Sequence, residues 1–189
     1  MAVQDRFMRG KYLGDSYDLV KRFWSENLGG IAPLYAHPRF IPAQIRGLYE
    51  AVTLIPILVP KSAPKSSFGI LLDPDTGIPL PKTSKRTTVS HATLNFMIQV
   101  MEEFRPKYVI CFDQSYHRQH ELSRKEQRQT KMEFLSERGF ASFYYVSHAP
   151  FLFITKTTGS LAAIRAHLMS RGIPGRLLES CGVNRRDHP

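Results

Sequence analysis

The sequence predicts an α/β fold: one domain with a mainly parallel sheet and a C-terminal antiparallel hairpin. Three observations predict it. First, short apolar runs rich in β-branched residues alternate with segments of helical period. Second, two of these runs, over 68–72 and Tyr108–Phe112, each end in an aspartate, Asp73 and Asp113, with a helix-patterned segment between them. Parallel strands need such a crossover, so both carboxylates should emerge on one rim, the carboxyl rim where open α/β sheets bind ligands. Third, apolar runs over 140–146 and Phe151–Thr155 flank Ser147-His148-Ala149-Pro150, the pattern of a hairpin.

Each element has its own warrant. Residues 15–27 predict the first helix, with Leu19, Val20, Phe23 and Trp24 on its inner face and Asn27-Leu28-Gly29-Gly30 as its stop. A short strand is expected over 31–36, closed by His37-Pro38. A helix is expected over 42–50 with Ile45 and Leu48 inward, then a β-branched strand over 51–58. Loops over 60–67 and 79–88, the second carrying Lys82, Lys85 and Arg86, form either a lid or plain solvated connections. Leu94, Met97, Ile98, Met101 and Phe104 follow the helical repeat, predicting a helix over 90–104 that Arg105-Pro106 ends. A long polar helix is expected over 117–138, with Leu122, Met132 and Leu135 inward and Gly139 as its stop. A last helix over 160–171 buries Leu161, Ile164 and Leu168. Residues 1–175 thus form the domain, and 176–189, with Arg185-Arg186, a basic mobile tail.

Composition narrows the partners. The 189 residues carry 26 Lys and Arg against 16 Asp and Glu, a net charge of +10, which favours a polyanion, nucleic acid first. The two cysteines, Cys111 and Cys181, make no disulfide framework or zinc spacing, so a reducing, cytoplasmic setting is expected. The longest apolar run, 51–59, contains Pro56 and falls short of the ~20 residues a membrane helix needs. No membrane partner is expected.

Gly14-Asp15-x-x-Asp18-x-x-Lys21 opens the first helix. Asp15 is a good N-cap and Asp18 suits the positive end of the helix dipole. The same motif resembles the opening of the J-type bacterial ribosomal RNA adenine methyltransferases. It is closer to a group of bacterial proteins of unassigned function that also carry an Asp-Pro-Asp-x-Gly turn after a strand, as Asp73 to Gly77 do here. The resemblance implies a Rossmann-like, methyltransferase-like sheet using S-adenosylmethionine on nucleic acid. Gly14, Asp15, Asp18 and Lys21 would then lie in the cofactor region. Asp73 and Pro74 would form the turn that holds the target adenine, with Asp113 on the neighbouring strand end. Asp75 and Thr76 stand where the methyltransferases have a second proline and a stacking aromatic ring, and no Gly-x-Gly turn follows an early strand.

A different chemistry uses the carboxylates directly. Asp73, Asp75 and Asp113 are oxygen ligands suited to Mg²⁺ or Mn²⁺, and beside a basic surface they imply a metal-dependent nuclease. A non-catalytic nucleic-acid-binding module is the third class. In either case Arg118, Arg124, Lys125, Arg128 and Lys131, at helical spacing, form the candidate phosphate-tracking face, unless they are a solvated helix face. His117 and His120 lack a third zinc ligand at suitable spacing. Ser115 lacks the glycines of a nucleophile elbow, and Cys111 reads as core packing.

Overall fold

The computed structural model describes residues 13–81, 90–116 and 121–181. Five helices and six strands follow the order α1 (Ser16–Leu28), β1 (Leu34–Ala36), α2 (Arg46–Thr53), β2 (Gly69–Leu72), α3 (Leu94–Phe104), β3 (Tyr108–Phe112), α4 (Arg124–Ser136), β4 (Ala141–Tyr145), β5 (Phe151–Thr155), α5 (Thr158–Ser170) and β6 (Leu178–Ser180). The sheet order is β1-β2-β3-β5-β4-β6.

The expected parallel sheet is only half right. β1, β2 and β3 pair in parallel, whereas β3–β5, β4–β5 and β4–β6 are antiparallel, so the sheet is mixed. The hairpin is the cause: a tight β4–β5 turn must reverse the chain, and β5 inserts between β3 and β4. Strands β1 to β4 still point the same way. Their carboxyl ends, with the 146–150 turn, share one rim. In register Leu72 faces Cys111, so Asp73 and Asp113 leave adjacent strands on that rim as expected.

Alternation along the strands feeds two cores. Leu71, Tyr108, Ile110, Phe112, Phe151 and Phe153 face α1 and α5, against Trp24, Leu28, Leu161, Ile164 and Leu168. Ile70, Leu72, Val109, Cys111, Leu152 and Ile154 face α3 and α4, against Met97, Met101, Met132 and Leu135. Trp24 is fully buried, edge-on to Tyr145, Phe151 and Phe153. Burying such a ring stabilises by roughly 3 kcal/mol, and this accounts for the chain's one tryptophan.

Several boundaries move, each for a physical reason. On α1 the buried face is Asp18, Lys21, Trp24, Asn27 and Leu28, while Leu19 is 60% exposed. The stripe expected from hydropathy is rotated because buried ion pairing outweighs hydropathy there. The strand expected over 51–58 does not form: residues 51–53 finish α2, Leu54 ends it in a left-handed conformation, and only Ile57 bridges Ala36. Leu48, expected inward, is exposed, and Tyr49 takes that place. The helix expected from 117 starts at Arg124, because Ser123 and Glu126 form a capping box. Residues 176–177 lie in a 3₁₀ turn and 178–180 form β6, so the tail predicted from Arg176 instead extends the sheet. Among the described residues no helix is long and apolar enough to cross a membrane.

Candidate functional site

Four side chains converge at the end of β2. Lys21 Nζ lies 2.6 Å from Asp73 Oδ2 and 2.8 Å from Asp18 Oδ1, and Tyr49 donates its hydroxyl to Asp73 at 3.2 Å. All are buried. The helix motif therefore works as a unit: Asp15 caps α1 by accepting from Tyr17 and Asp18, and the Gly14 N–H donates to Asp18 at 2.7 Å. Burial alone would lower the Lys21 pKa, but Asp73 and Asp18 more than offset it and hold it above the ordinary 10.5. Burial also drives the Tyr49 hydroxyl upward, reinforced by Asp73, so it stays a donor. The polar groups of Asp15, Asp18 and Lys21 are directed to one another and to Asp73. They do not fit a cofactor's carboxylate or ribose. Asp73 gives its Oδ2 to Lys21 and Tyr49, and Pro74 is buried beside it.

A matching trio stands at the end of β3. Lys131 Nζ, from α4, lies 2.7 Å from Asp113 Oδ2, and the Tyr144 hydroxyl donates to the same oxygen at 2.8 Å. Oδ1 accepts from the Ile78 N–H at 2.9 Å and the Ser115 N–H at 3.0 Å, with Ser115 Oγ 2.6 Å away. Counting the Ser115 hydroxyl, five donors surround Asp113, which is therefore saturated and a poor metal ligand. Its work is positional: it ties the β2 turn, Ser115, α4 and β4 together. Gly77 makes the close approach possible. At φ +77°, an added Cβ would stand 2.5 Å from the Ser115 nitrogen and 2.7 Å from Asp113 Oδ1. Between the two carboxylates, Cys111 is pushed well up, first by burial and then by Asp113 and Asp73, so the thiol is inert core.

The three-carboxylate metal centre is not assembled. Asp73 is sealed, Asp75 is exposed and Asp113 is saturated. Among the described residues no group of three His, Cys, Asp or Glu side chains is placed to hold a metal.

What opens beside Asp113 is a cleft of about 380 Å³. Ser115, Lys131 and Tyr144 floor it. Arg124 and Arg128 of α4 line it too, with Tyr116 beside Arg124, as do Tyr17 and His148. The Arg124 guanidinium lies 4.4 Å over the Tyr116 ring, and Arg128 Nη2 donates to Glu179 at 2.7 Å. Among the described residues Arg128 Nε and Glu179 Oε1 are buried without a hydrogen-bond partner. Ser115 Oγ accepts from Lys131 at 3.0 Å and shares its proton between Asp113 and the Ile78 carbonyl.

The basic face predicted on α4 is thus divided. Lys131 is buried and paired with Asp113, and Arg128 is half-buried and paired with Glu179. Arg124 and Lys125 are exposed, and only Arg124 of these two lines the cleft. Lys82, Lys85, Arg86, His117, Arg118, His120 and the 182–189 segment lie outside the described residues. Tyr17, Tyr144 and His148 carry no sequence signal of a site, and neither does Ser115. Lys131 carries a readable signal, since it stands four before Leu135 and one before Met132 on the apolar stripe. A charge in that register marks a buried pair. No protein-family model, curated protein or solved structure matches the chain.

Proposed function

We propose that the chain binds nucleic acid through the cleft at the end of β3, without methyl-transfer or metal chemistry at the rim. The observation that carries this reading is the lining of the cleft: exposed Arg124 beside the rings of Tyr17 and Tyr116, with Arg128 and Lys131 paired to Glu179 and Asp113. The N-terminal turn of α4 borders the same space and adds positive potential. Aromatic rings beside the cations suit bases, which stack without regard to sequence. The net charge of +10 supports a polyanionic partner.

The resemblance of the Gly14-to-Lys21 motif to ribosomal RNA adenine methyltransferases is in keeping with a nucleic-acid partner. The Asp73-Pro74 turn sits on the rim that the resemblance requires, yet Lys21 and Tyr49 occupy its carboxylate. Calorimetry with S-adenosylmethionine is expected to give no heat. The direct test is fluorescence anisotropy with a labelled single-stranded oligonucleotide over stepped salt. Arg124→Gln should weaken binding and flatten the log–log salt slope by about 0.7, the value for one lost phosphate contact on a single strand. It should also leave stability within about 0.5 kcal/mol, because the side chain is exposed. A wild-type chain that binds no oligonucleotide at low salt sinks the proposal.

A further inference from the structure

The opposite rim of the sheet carries a second basic hollow. It opens between the chain entering β2 and the chain entering β3, at the amino ends of those strands. Lys65, Arg105 and Lys107 line it, all three exposed, and no carboxylate among the described residues does. Glu102 and Glu103 of α3 are exposed nearby in sequence but stay out of the lining. Unlike Arg128 and Lys131, none of these cations is in an ion pair with a described residue. Lys107 gives one N–H to the Ile31 carbonyl at 3.2 Å and keeps its charge. Arg105 caps α3 in a left-handed conformation, φ 49°, where glycine is the usual residue, so a long cation stands at a place the backbone disfavours.

Rings continue this surface past the hollow. Phe104, which lines it, has its ring centroid 6.0 Å from His37, and His37 lies 5.3 Å from Phe96. All three are half-buried. The exposed Arg39 lays its guanidinium 4.3 Å over the Phe96 ring. Phe96 and Phe104 stand eight residues apart on α3, about 12 Å along its axis. Cations thus flank a row of rings beside the β1 edge of the sheet. Charge alone suits any polyanion. Rings interleaved with cations suit nucleobases, which stack on aromatic faces and on guanidinium planes.

We infer that this surface is a second contact for single-stranded nucleic acid. Internal phosphates lie against Lys65, Arg105 and Lys107, and bases stack on Phe104 and on the Arg39–Phe96 pair. The inference rests on the nucleic-acid reading above, although no described residue lines both sites. The hollow is the more open of the two, so it is engaged by strands long enough to reach it from the cleft, where the first contact raises the local concentration.

The experiment measures anisotropy of internally labelled oligothymidines over stepped salt, one of about 5 nucleotides, enough for one site, and one of about 30, enough for both. Lys65→Gln with Arg105→Gln should weaken the long strand about tenfold and flatten its log–log salt slope by about 1.4, two single-strand phosphate contacts, while leaving the short strand unchanged. Arg39→Lys keeps the charge and loses the plane, so it should weaken the long strand about fivefold with the salt slope unchanged. All three positions are exposed, and circular dichroism checks the fold of each variant. Wild-type affinity and slope for the long strand in the double variant, with Arg124→Gln still weakening it, would overturn the second surface and leave the cleft reading standing. Full affinity in Arg39→Lys would overturn base stacking there. A wild-type chain that binds neither length would overturn both readings.

Discussion

At the end of β2, Asp73 is held by Lys21 from α1 and Tyr49 from α2. At the end of β3, Asp113 is held by Lys131 from α4 and Tyr144 from β4. The parts are the same: aspartate at the strand terminus, lysine from a helix, phenol from a neighbouring element. The surroundings differ. A second carboxylate, Asp18, completes the first trio, and the Lys21 ammonium lies 5.7 and 5.8 Å from the Tyr49 and Phe112 rings. In the second, Ser115 and backbone N–H groups complete Asp113, and the trio floors a cleft. The same trio thus closes one strand end and floors an open cleft at the next. What decides is access, which is set by the elements laid over each end.

The largest expected effect is at the sealed end. Lys21→Met leaves Asp18 and Asp73 buried together without their cation, and should cost about 3–5 kcal/mol in urea unfolding. Lys131→Met should cost less, since Asp113 keeps its other donors from Ile78, Ser115 and Tyr144. Equal losses would break the contrast between a carboxylate that depends on one lysine and a carboxylate that is saturated without it. Next comes Gly77→Ala. Its positive φ and the crowding against Ser115 and Asp113 should cost about 2 kcal/mol. Oligonucleotide affinity should fall as well, because the floor of the cleft shifts. Full affinity in a destabilised variant would uncouple the turn from the cleft.

The alkaline response sharpens the same contrast. The folded pKa of Lys21 lies above its ordinary 10.5, so the stability it contributes is fully present at neutral pH and is lost as pH rises through the folded value. Tyr49 has the same sign: burial and Asp73 raise its hydroxyl, so above its ordinary 10.0 the unfolded chain releases a proton that the folded chain keeps. Tyr144, raised by burial and Asp113, behaves likewise. Cys111 starts the fall: its ordinary value is 9.0 and burial raises it, so urea midpoints should begin to drop as pH approaches 9.0 and drop further above 10.0 as the lysine and tyrosines join. Lys21→Met should show a shallower fall, with the tyrosines remaining. A fall of unchanged size in that variant would remove Lys21 from the account.

How much of this is legible in the sequence follows from where the forces are local. The strand Tyr108–Phe112 and the pair of rim aspartates are readable because a wholly apolar run must be buried, and a carboxylate at its end must mark a sheet rim. The hairpin and the inner faces of α3 and α5 are readable from periodicity. The 51–58 strand is not, because Val52 and Thr53 finish a helix, where Tyr49 is anchored to distant Asp73 and Thr53 bonds back to the Tyr49 carbonyl. The cleft is not legible as a site either. Its floor joins Asp113, Ser115, Lys131 and Tyr144 from separate elements, and only the fold brings them together. The basic helix misleads for a related reason: Lys131 resembles the solvated cations around it, although its register puts it on the buried stripe.

The proposed division between a sealed end and a binding end can be measured residue by residue. Backbone amide NMR shifts, recorded while a short single-stranded oligonucleotide is added, report which rim residues feel the ligand. Perturbations should concentrate at Ser115, Tyr116, Arg124, Arg128, Ser147 and His148, with residues 15–21, Tyr49 and Asp73 unmoved. Shifts centred on Asp18, Lys21 and Asp73, with the β3 end silent, would contradict the account.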